Sequence, residues 1–153
     1  MDEQRRGRYG RIYEQLRNLI VGRSPSLVAA MATICAVLHA KMPHHFWTGF
    51  YLVHSEGELH VGPYQGPLAC QALRSGVCAD AVRSKRAIVV EDVDRYPGHV
   101  ACDSRSKSEI VVPVLRGEDV VAVLDIDSDK LGQFSDADVE PLRRILSLLD
   151  PHL

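Results

Sequence analysis

Apolar side chains recur at helical spacing in three segments of the chain, residues 8–21, 25–42 and 135–149. A return every third or fourth residue places these side chains on one helix face, which packs against a core. Ser24 is the expected N-cap of the second segment, because Pro25 suits the first helical position. The apolar positions are Tyr9, Ile12, Leu16, Leu19, Ile20, Leu27, Met31, Ile34, Cys35, Leu38, Val139, Leu142, Ile145, Leu146 and Leu149. We therefore predict two helices near the N-terminus and one near the C-terminus.

The middle of the chain has a different pattern, in which β-branched and aromatic residues form short runs. Such runs favour strands, and a short turn between two of them favours a hairpin. Residues 62–69 and 91–108 are predicted loops, because they are rich in Pro and Gly or lack periodicity. The predicted strands are residues 46–53, 59–61, 87–90, 110–115 and 120–127. Hairpins favour an antiparallel sheet, and we expect the terminal helices to cover one face of it.

The predicted strand of residues 120–127 carries acidic residues among apolar ones. Successive side chains of a strand point to opposite faces, so Asp125 and Asp127 share a face. Both faces are apolar at the start of the strand, which indicates that it is covered on both sides. Burial and like-charge repulsion raise the pKa of a carboxyl group, and a carboxyl that keeps its proton can act as a general acid. Glu109 precedes another apolar strand and is a similar candidate. Alternatively, Asp127 begins a turn, which leaves Asp125 unexplained.

The length of 153 residues, with 46% hydrophobic and 25% charged residues, fits one globular domain over residues 1–153. The net charge of -2 argues against nucleic acid or a membrane surface as a partner, since either favours a basic patch. Arginines cluster near the N-terminus, but glycine and acidic residues interrupt them, so we expect residues 1–8 to form a flexible arm. The sequence shows neither a signal segment nor a membrane-spanning stretch, so a cytoplasmic location is the default expectation.

Cysteines are informative in a cytoplasmic protein, where persistent structural disulfides are uncommon. Cys35 lies on an apolar helical stripe and is predicted to be a core residue. Cys70, Cys78 and Cys102 lie in or beside irregular segments, where residues carry function more often than packing. An expected helix N-terminus near Cys78, and His99 near Cys102, would lower the pKa of the thiols toward the reactive thiolate.

Two other interpretations of these cysteines stay open. They are small buried hydrophobic residues, which is the usual state of a free cysteine, or they bind zinc. A Cys3His set would consist of Cys70, Cys78, His99 and Cys102. Structural zinc sites normally have ligand pairs close in sequence, and only His99 and Cys102 are that close, so zinc ranks below redox chemistry.

Aromatic residues cluster in the first predicted strand. Trp47 and Tyr51 lie four positions apart there and therefore share a face. They are most simply core residues, but such a pair is also suited to wall a small apolar ligand.

Several motifs occur together, in order, over most of the chain. They are Gly49-Phe50-Tyr51-Leu52, Val61-Gly62-Pro63-Tyr64-Gln65-Gly66-Pro67, Ala69-Cys70, Gly76-Val77-Cys78, Pro97-Gly98-His99-Val100-Ala101-Cys102-Asp103, Ser108-Glu109-Ile110-Val111-Val112-Pro113 and Leu124-Asp125-Ile126-Asp127-Ser128. The combination resembles the free methionine-(R)-sulfoxide reductases, GAF-domain enzymes that reduce the R epimer of free methionine sulfoxide. The resemblance implies an α+β fold, a single GAF-type domain whose six-stranded antiparallel sheet is flanked by N- and C-terminal helices.

The resemblance also implies roles for the cysteines. Cys102 matches the catalytic nucleophile, Cys70 the cysteine that forms a disulfide with it, and Cys78 an auxiliary cysteine. In the implied cycle, Cys102 becomes a sulfenic acid, Cys70 condenses with it, and thioredoxin reduces the disulfide. The implied partners are free methionine-(R)-sulfoxide and thioredoxin, and no metal or organic cofactor is needed.

By the same resemblance, Glu109, Asp125 and Asp127 match the acids around the sulfoxide oxygen, and Trp47 and Tyr51 match the aromatic walls around the substrate methyl group. These assignments agree with the buried carboxyl groups and the aromatic face that the strand pattern predicts.

Two alternatives from other classes stay open. One is a GAF sensor, which holds a small ligand and passes a signal on without catalysis. Against it, the sequence shows no effector segment, and three cysteines outside the helical stripes would be unexplained. The other is a dimerisation module that pairs through the N-terminal helices, and a homodimer is compatible with an enzyme as well.

Overall fold

The computed structural model describes residues 1–153, apart from the side chain of Glu56. Helices and strands alternate irregularly along the chain. The helices are α1 (Glu3–Ile20), α2 (Leu27–Lys41), α3 (Val77–Ser84) and α4 (Val139–Leu146). The strands are β1 (Trp47–Val53), β2 (Leu59–Gln65), β3 (Ala72–Leu73), β4 (Ile88–Val90), β5 (Ser108–Arg116) and β6 (Asp119–Ser128). No helix in these described residues is long and apolar enough to cross a bilayer.

The six strands form one antiparallel sheet in the order β3-β2-β1-β6-β5-β4. The two hairpins lie side by side, and β1 joins them by pairing with β6, so that β1 and β6 are the central strands. A central strand has neighbours on both edges and can be covered on both faces, which agrees with the apolar pattern on both faces of β6. The predicted antiparallel sheet is confirmed.

Helices α2 and α4 pack against one face of the sheet, and α1 packs against these two helices. The largest fully buried side chains of this core come from all three helices and from β1, β5 and β6. They include Ile12, Leu16, Met31, Ile34, Leu38, Phe50, Ile110, Leu124, Ile126 and Leu142. The terminal helices therefore cover one face, as predicted, and the opposite face is left for a second cluster that includes Trp47, Tyr51 and Cys78.

The prediction that residues 1–8 form a flexible arm is wrong, because α1 begins at Glu3. Asp2 caps the helix by accepting a hydrogen bond of 2.7 Å from the backbone N–H of Arg5. The Arg5 guanidinium donates to the carbonyl oxygen of Gln133 at 2.8 Å. The helix is held by this contact with a segment far along the sequence, which a local pattern does not reveal.

The predicted loop of residues 62–69 is also partly wrong, because β2 continues to Gln65. Gly49 pairs with Tyr64 and Tyr51 pairs with Val61, so two residues of β2 lie opposite one residue of β1 in a bulge. Pro63 is one of these two residues, and a bulge tolerates proline because a backbone N–H is not required there. Similarly, the N-cap of α2 is Ser26 rather than Ser24.

Candidate active site

A narrow pocket of about 50 Å³ lies on the sheet face opposite the three large helices. Strands β1, β5 and β6 form its floor, and the N-terminus of α3 and two loops form its walls. One of these loops, residues 96–107, is called the Cys102 loop below. Seven of the eight residues predicted for the site line the pocket: Trp47, Tyr51, Cys78, Cys102, Glu109, Asp125 and Asp127. The eighth, Cys70, is bonded to Cys102.

The strand register brings the three acidic residues together. Glu109 on β5 lies opposite Asp127 on β6, and Asp125 is two residues away on the same face. Glu109 is 4% exposed and Asp125 is 5% exposed, so two carboxyl groups lie almost entirely out of water. The predicted alternation of β6 is confirmed, since Leu124 and Ile126 point into the helix-side core.

All three carboxyl groups are shifted toward the protonated form. Burial, and then the nearby charge of Asp125, raises the pKa of Glu109 well above its ordinary value. Burial raises the pKa of Asp125 to about 6, against hydrogen bonds to Glu109 and Cys78 that lower it. Burial and then the charge of Asp125 also raise the pKa of Asp127. The cluster therefore holds at least one proton near neutral pH, as a group that protonates a substrate must.

Two oxygen atoms of this cluster have no hydrogen-bond partner among the described residues. They are Oε2 of Glu109 and Oδ1 of Asp125, and both are fully buried. Nδ1 of His99 lies 3.9 Å from Oε2 of Glu109, which is beyond hydrogen-bonding distance. Unpaired buried polar atoms are costly, so their presence in a pocket indicates that a ligand with polar atoms completes them.

Cys70 and Cys102 form a disulfide, with their Cα atoms 5.4 Å apart. This is the pairing that the resemblance implies, and it occupies two thiols of the alternative zinc set. Cys102 lies on the exposed Cys102 loop and Cys70 is half-buried, so the bond is at the protein surface beside the pocket. An external dithiol can reach a disulfide in this position.

Cys78 is the second residue of α3 and lies in the pocket wall, 3% exposed. Burial, and then the charges of Asp125 and Glu109, raise the pKa of its thiol well above the ordinary value. The expectation that a helix N-terminus makes Cys78 a thiolate is therefore wrong, because burial among acids outweighs the helix dipole. Ligand atoms of Cys78, Glu109 and Asp125 lie within 4.8 Å of one another, close enough to hold a cation.

Aromatic rings of β1 and β2 form an aromatic wall beside the acids, because Trp47 lies opposite Asp127 in the register of β1 and β6. Trp47 stacks between Tyr51 and Tyr64, with ring centroids 5.7 Å and 5.3 Å apart. Nε1 of Trp47 donates to the carbonyl oxygen of Pro67 at 3.1 Å, and the Tyr51 hydroxyl donates to that of Cys70 at 3.3 Å. The predicted shared face of Trp47 and Tyr51 is confirmed, and the tyrosine also fixes the segment that carries the disulfide.

The sequence patterns did not reveal two features of this site. Gly49 lies beneath the stacked rings, where a Cβ atom would overlap the Trp47 ring and the Cβ of Tyr64. The other is the position of His99 beside Glu109. The periodicity of a strand indicates which face a residue occupies but not how closely a ring covers its backbone. The Gly49-Phe50-Tyr51-Leu52 motif was the only signal for the first feature.

Comparison with known proteins defines the class to which this fold and pocket belong. The family model described as GAF domain matches residues 24–150. The chain therefore belongs to the GAF domain family, as its six-stranded antiparallel sheet and flanking helices indicate.

Within that family, the similar proteins include reductases. The chain is 37% identical over 135 residues to "Free methionine-R-sulfoxide reductase" of Escherichia coli, covering 87% of this chain and 81% of that protein. It is 42% identical over 144 residues to "GAF domain-containing protein A" of Dictyostelium discoideum, covering 93% and 90%. A solved structure, that of free methionine-R-sulfoxide reductase from Neisseria meningitidis in complex with its substrate, superposes with a TM-score of 0.89 at 38% identity, covering 94% of this chain and 87% of that one.

Proposed function

We propose that this protein reduces free methionine-(R)-sulfoxide to methionine. The observation that carries the proposal is the Cys70–Cys102 disulfide at the rim of a pocket floored by Glu109, Asp125 and Asp127. A redox-active sulfur pair beside buried, protonated acids supplies the two groups that sulfoxide reduction requires. The similarity to a reductase solved with its substrate supports the same activity.

The first step transfers oxygen from the substrate to Cys102. The sulfoxide sulfur becomes electrophilic when a carboxylic acid of the cluster donates a proton to its oxygen. The thiolate of Cys102 attacks the sulfur and forms a bond to it. The hydroxyl group then moves from the substrate sulfur to the sulfur of Cys102 as this S–S bond breaks, so that methionine departs as the thioether and Cys102 is left as a sulfenic acid. The sulfoxide is thereby reduced by two electrons and the cysteine is oxidised by two.

The second step forms the observed disulfide. The thiol of Cys70 attacks the sulfenic acid of Cys102, and water leaves with the oxygen atom. An external dithiol, proposed to be thioredoxin, then reduces the disulfide through a mixed disulfide. The exposed position of Cys102 supports attack by such a protein, and the proposal assigns the reaction to the cytoplasm, where such dithiols are kept reduced.

We assign substrate contacts to the aromatic wall and to the acids of the pocket floor. Trp47 and Tyr51 face the S-methyl group with apolar ring surface, while the unpaired oxygens of Glu109 and Asp125 face the sulfoxide. Cys78, whose buried thiol lies beside Asp125 and Glu109, holds a third thiol in the site.

The small size of the pocket supports selection of a free amino acid. The pocket is narrow and the disulfide lies at its rim, so we assign substrate entry to the reduced enzyme, in which the Cys102 loop is not bonded to Cys70. A methionine sulfoxide residue within a folded protein carries flanking chain that the loop and α3 exclude.

The test is NADPH consumption in the presence of thioredoxin and thioredoxin reductase. Free methionine-(R)-sulfoxide, free methionine-(S)-sulfoxide and a peptide containing the R epimer are compared as substrates. We expect consumption with the free R epimer alone, with methionine as the product. Cys35→Ala, which changes a core cysteine on the other side of the sheet, is the matched control and is expected to stay active. Binding of the sulfoxide without consumption would instead identify a sensor.

A further inference from the structure

A side-chain hydrogen bond connects α3 to the start of the Cys102 loop. The hydroxyl of Tyr96 donates to Oδ2 of Asp80 at 2.6 Å, a short distance typical of a charged acceptor. The other carboxylate oxygen of Asp80 is paired with Arg83, one helical turn further along α3. Burial, and then the hydrogen bond to Asp80, raises the pKa of Tyr96 to about 12, so the hydroxyl remains a donor over the working pH range.

Tyr96 is also the first residue of a tight turn that leads toward Cys102. The backbone N–H of His99 donates to the carbonyl oxygen of Tyr96 at 3.2 Å. Pro97 occupies the second position of the turn and Gly98 the third, where φ is +76°. Proline followed by a glycine of positive φ is typical of a type II turn, which fixes the direction of the chain after it. The position of Tyr96 therefore determines the path of the chain from His99 to Cys102.

The far end of the loop has a separate attachment. The backbone N–H of Lys107 donates to the carbonyl oxygen of Ser128 at 2.7 Å, and Lys107 in turn accepts from Val93 at 2.9 Å. Between the two ends, Gly98 and Val100 approach Gly76 at the N-terminus of α3, with backbone atoms 3.5 Å from where a Cβ of Gly76 would lie. The loop that carries the nucleophile is thus attached at both ends and lies against α3 between them.

We propose that Tyr96 and Asp80 are a positioning pair that anchors the entry end of the Cys102 loop, so that Cys102 reaches both the substrate sulfur and Cys70. The inference rests on the proposed function and adds to it two residues that contact neither the substrate nor the reacting sulfurs. Loss of the anchor lengthens the free part of the loop, which lowers the effective concentration of one sulfur near the other. Disulfide closure slows as a result, while the acid cluster and the aromatic wall remain intact.

The experiment compares Tyr96→Phe, Asp80→Ala and Asp80→Asn with the wild-type chain. Closure of the Cys70–Cys102 disulfide is followed by loss of free thiols after reduced enzyme is mixed with hydrogen peroxide, which oxidises Cys102 to a sulfenic acid and releases water. The same variants are then assayed for kcat and KM with free methionine-(R)-sulfoxide. Arg83→Ala is the matched control, because it removes the other partner of Asp80 and leaves the bond to Tyr96.

We expect Tyr96→Phe and Asp80→Ala to slow closure about tenfold, the effect of losing a hydrogen bond to a charged group. The double variant should be no slower than either single one, because both remove the same bond. Asp80→Asn keeps an acceptor oxygen and should restore most of the rate, and kcat should fall more than KM rises. If Tyr96→Phe closes the disulfide at the wild-type rate, or if Arg83→Ala slows closure as much as Tyr96→Phe does, the proposed anchor is refuted. If peroxide closes the disulfide with the expected differences between variants but the chain does not reduce the sulfoxide, the anchor is supported and the proposed substrate is refuted.

Discussion

Glu109 on β5 and Asp125 on β6 lie together on a buried face of the sheet, and each has one side-chain oxygen that accepts no hydrogen bond. Burial raises the pKa of both carboxyl groups. The charge of Asp125 and the hydrogen bond between the two raise the pKa of Glu109 further, whereas that hydrogen bond lowers the pKa of Asp125, so the two groups titrate as a pair with the proton favoured on Glu109. This relationship makes the pocket a proton donor at pH values where an exposed carboxyl is ionised.

Replacement of the proposed acid should remove the protonation step. Glu109→Gln is expected to lower kcat/KM for free methionine-(R)-sulfoxide about 100-fold or more, the usual contribution of general acid catalysis. In the wild type, kcat/KM should fall as the pH rises through the raised pKa of the pair, and this descending limb should be absent from the variant. Glu118→Gln, in the exposed β5–β6 turn, is the control and should have no effect. Unchanged kcat/KM in Glu109→Gln would show that a group other than Glu109 donates the proton.

The pair should also make stability depend on pH in an unusual direction. Burial raises the pKa of Asp125 to about 6 from its ordinary value of 3.8, so the folded protein binds this proton more tightly than the unfolded chain. The stabilisation that this proton provides is fully present below the pKa of Asp125 in the unfolded chain. It is lost as the pH rises from about 4 through 6. We expect Asp125→Asn to be more stable than the wild type at pH 8, and the advantage to vanish toward pH 4. Urea unfolding of both proteins between pH 4 and pH 8 measures this difference in stability. A constant difference at all pH values would contradict the raised pKa.

The two cysteines of the disulfide should separate oxygen transfer from recycling. Cys70→Ser is expected to release about one methionine per enzyme and then stop, because the sulfenic acid on Cys102 has no resolving thiol. Cys102→Ser should release none. Quench experiments that quantify methionine by mass spectrometry distinguish the two. Thioredoxin-driven turnover at the wild-type rate in Cys70→Ser would assign the resolving role to Cys78, the other cysteine beside the pocket.

Gly49 should be essential for the aromatic wall. In Gly49→Ala the new methyl group overlaps the ring of Trp47 and the Cβ atom of Tyr64, so the stack must move into the pocket or the strands must separate. We expect KM for the sulfoxide to rise about tenfold and stability to fall by about 1–3 kcal/mol, the usual cost of overpacking. Gly10→Ala in α1 has open space around it and should leave KM unchanged. Steady-state assays with free methionine-(R)-sulfoxide and urea unfolding supply the two measurements.

The periodic parts of this molecule were predictable from the sequence, because burial of one face imposes a period. The alternation along β6 was sufficient to assign Asp125 and Leu124 to opposite faces, and the spacing of Leu16 and Ile20 was sufficient to identify the buried side of α1. The pairing of Cys70 with Cys102 is different. It depends on how two loops approach each other, and only the resemblance to a family provided it.

What the sequence could not provide comes from contacts between distant segments. The hydrogen bond from Tyr96 to Asp80 joins residues on α3 and on a loop without periodicity, and neither side chain is unusual in its own segment. The extension of β2 through Pro63 depends on a bulge opposite β1, although proline by itself indicates a loop. Both features require the register and the loop positions to be known first.

The attachment of α1 gives a final test, on stability alone. The hydroxyl of Tyr9 donates to Oδ1 of the buried Asp138 at 2.9 Å, and the carboxylate also accepts the backbone N–H of Ser135 at 2.9 Å. Tyr9→Phe leaves one oxygen of a buried carboxylate without its donor, so we expect a loss of about 1–3 kcal/mol in the free energy of unfolding. Activity should be unchanged at 25 °C, because the contact is on the helix side of the sheet, away from the pocket. Tyr13→Phe, whose half-buried ring lies against Arg144, removes a hydroxyl from the same helix and should cost less than half as much. If Tyr9→Phe and Tyr13→Phe unfold at the same urea concentration, the bond to Asp138 does not hold α1 in place.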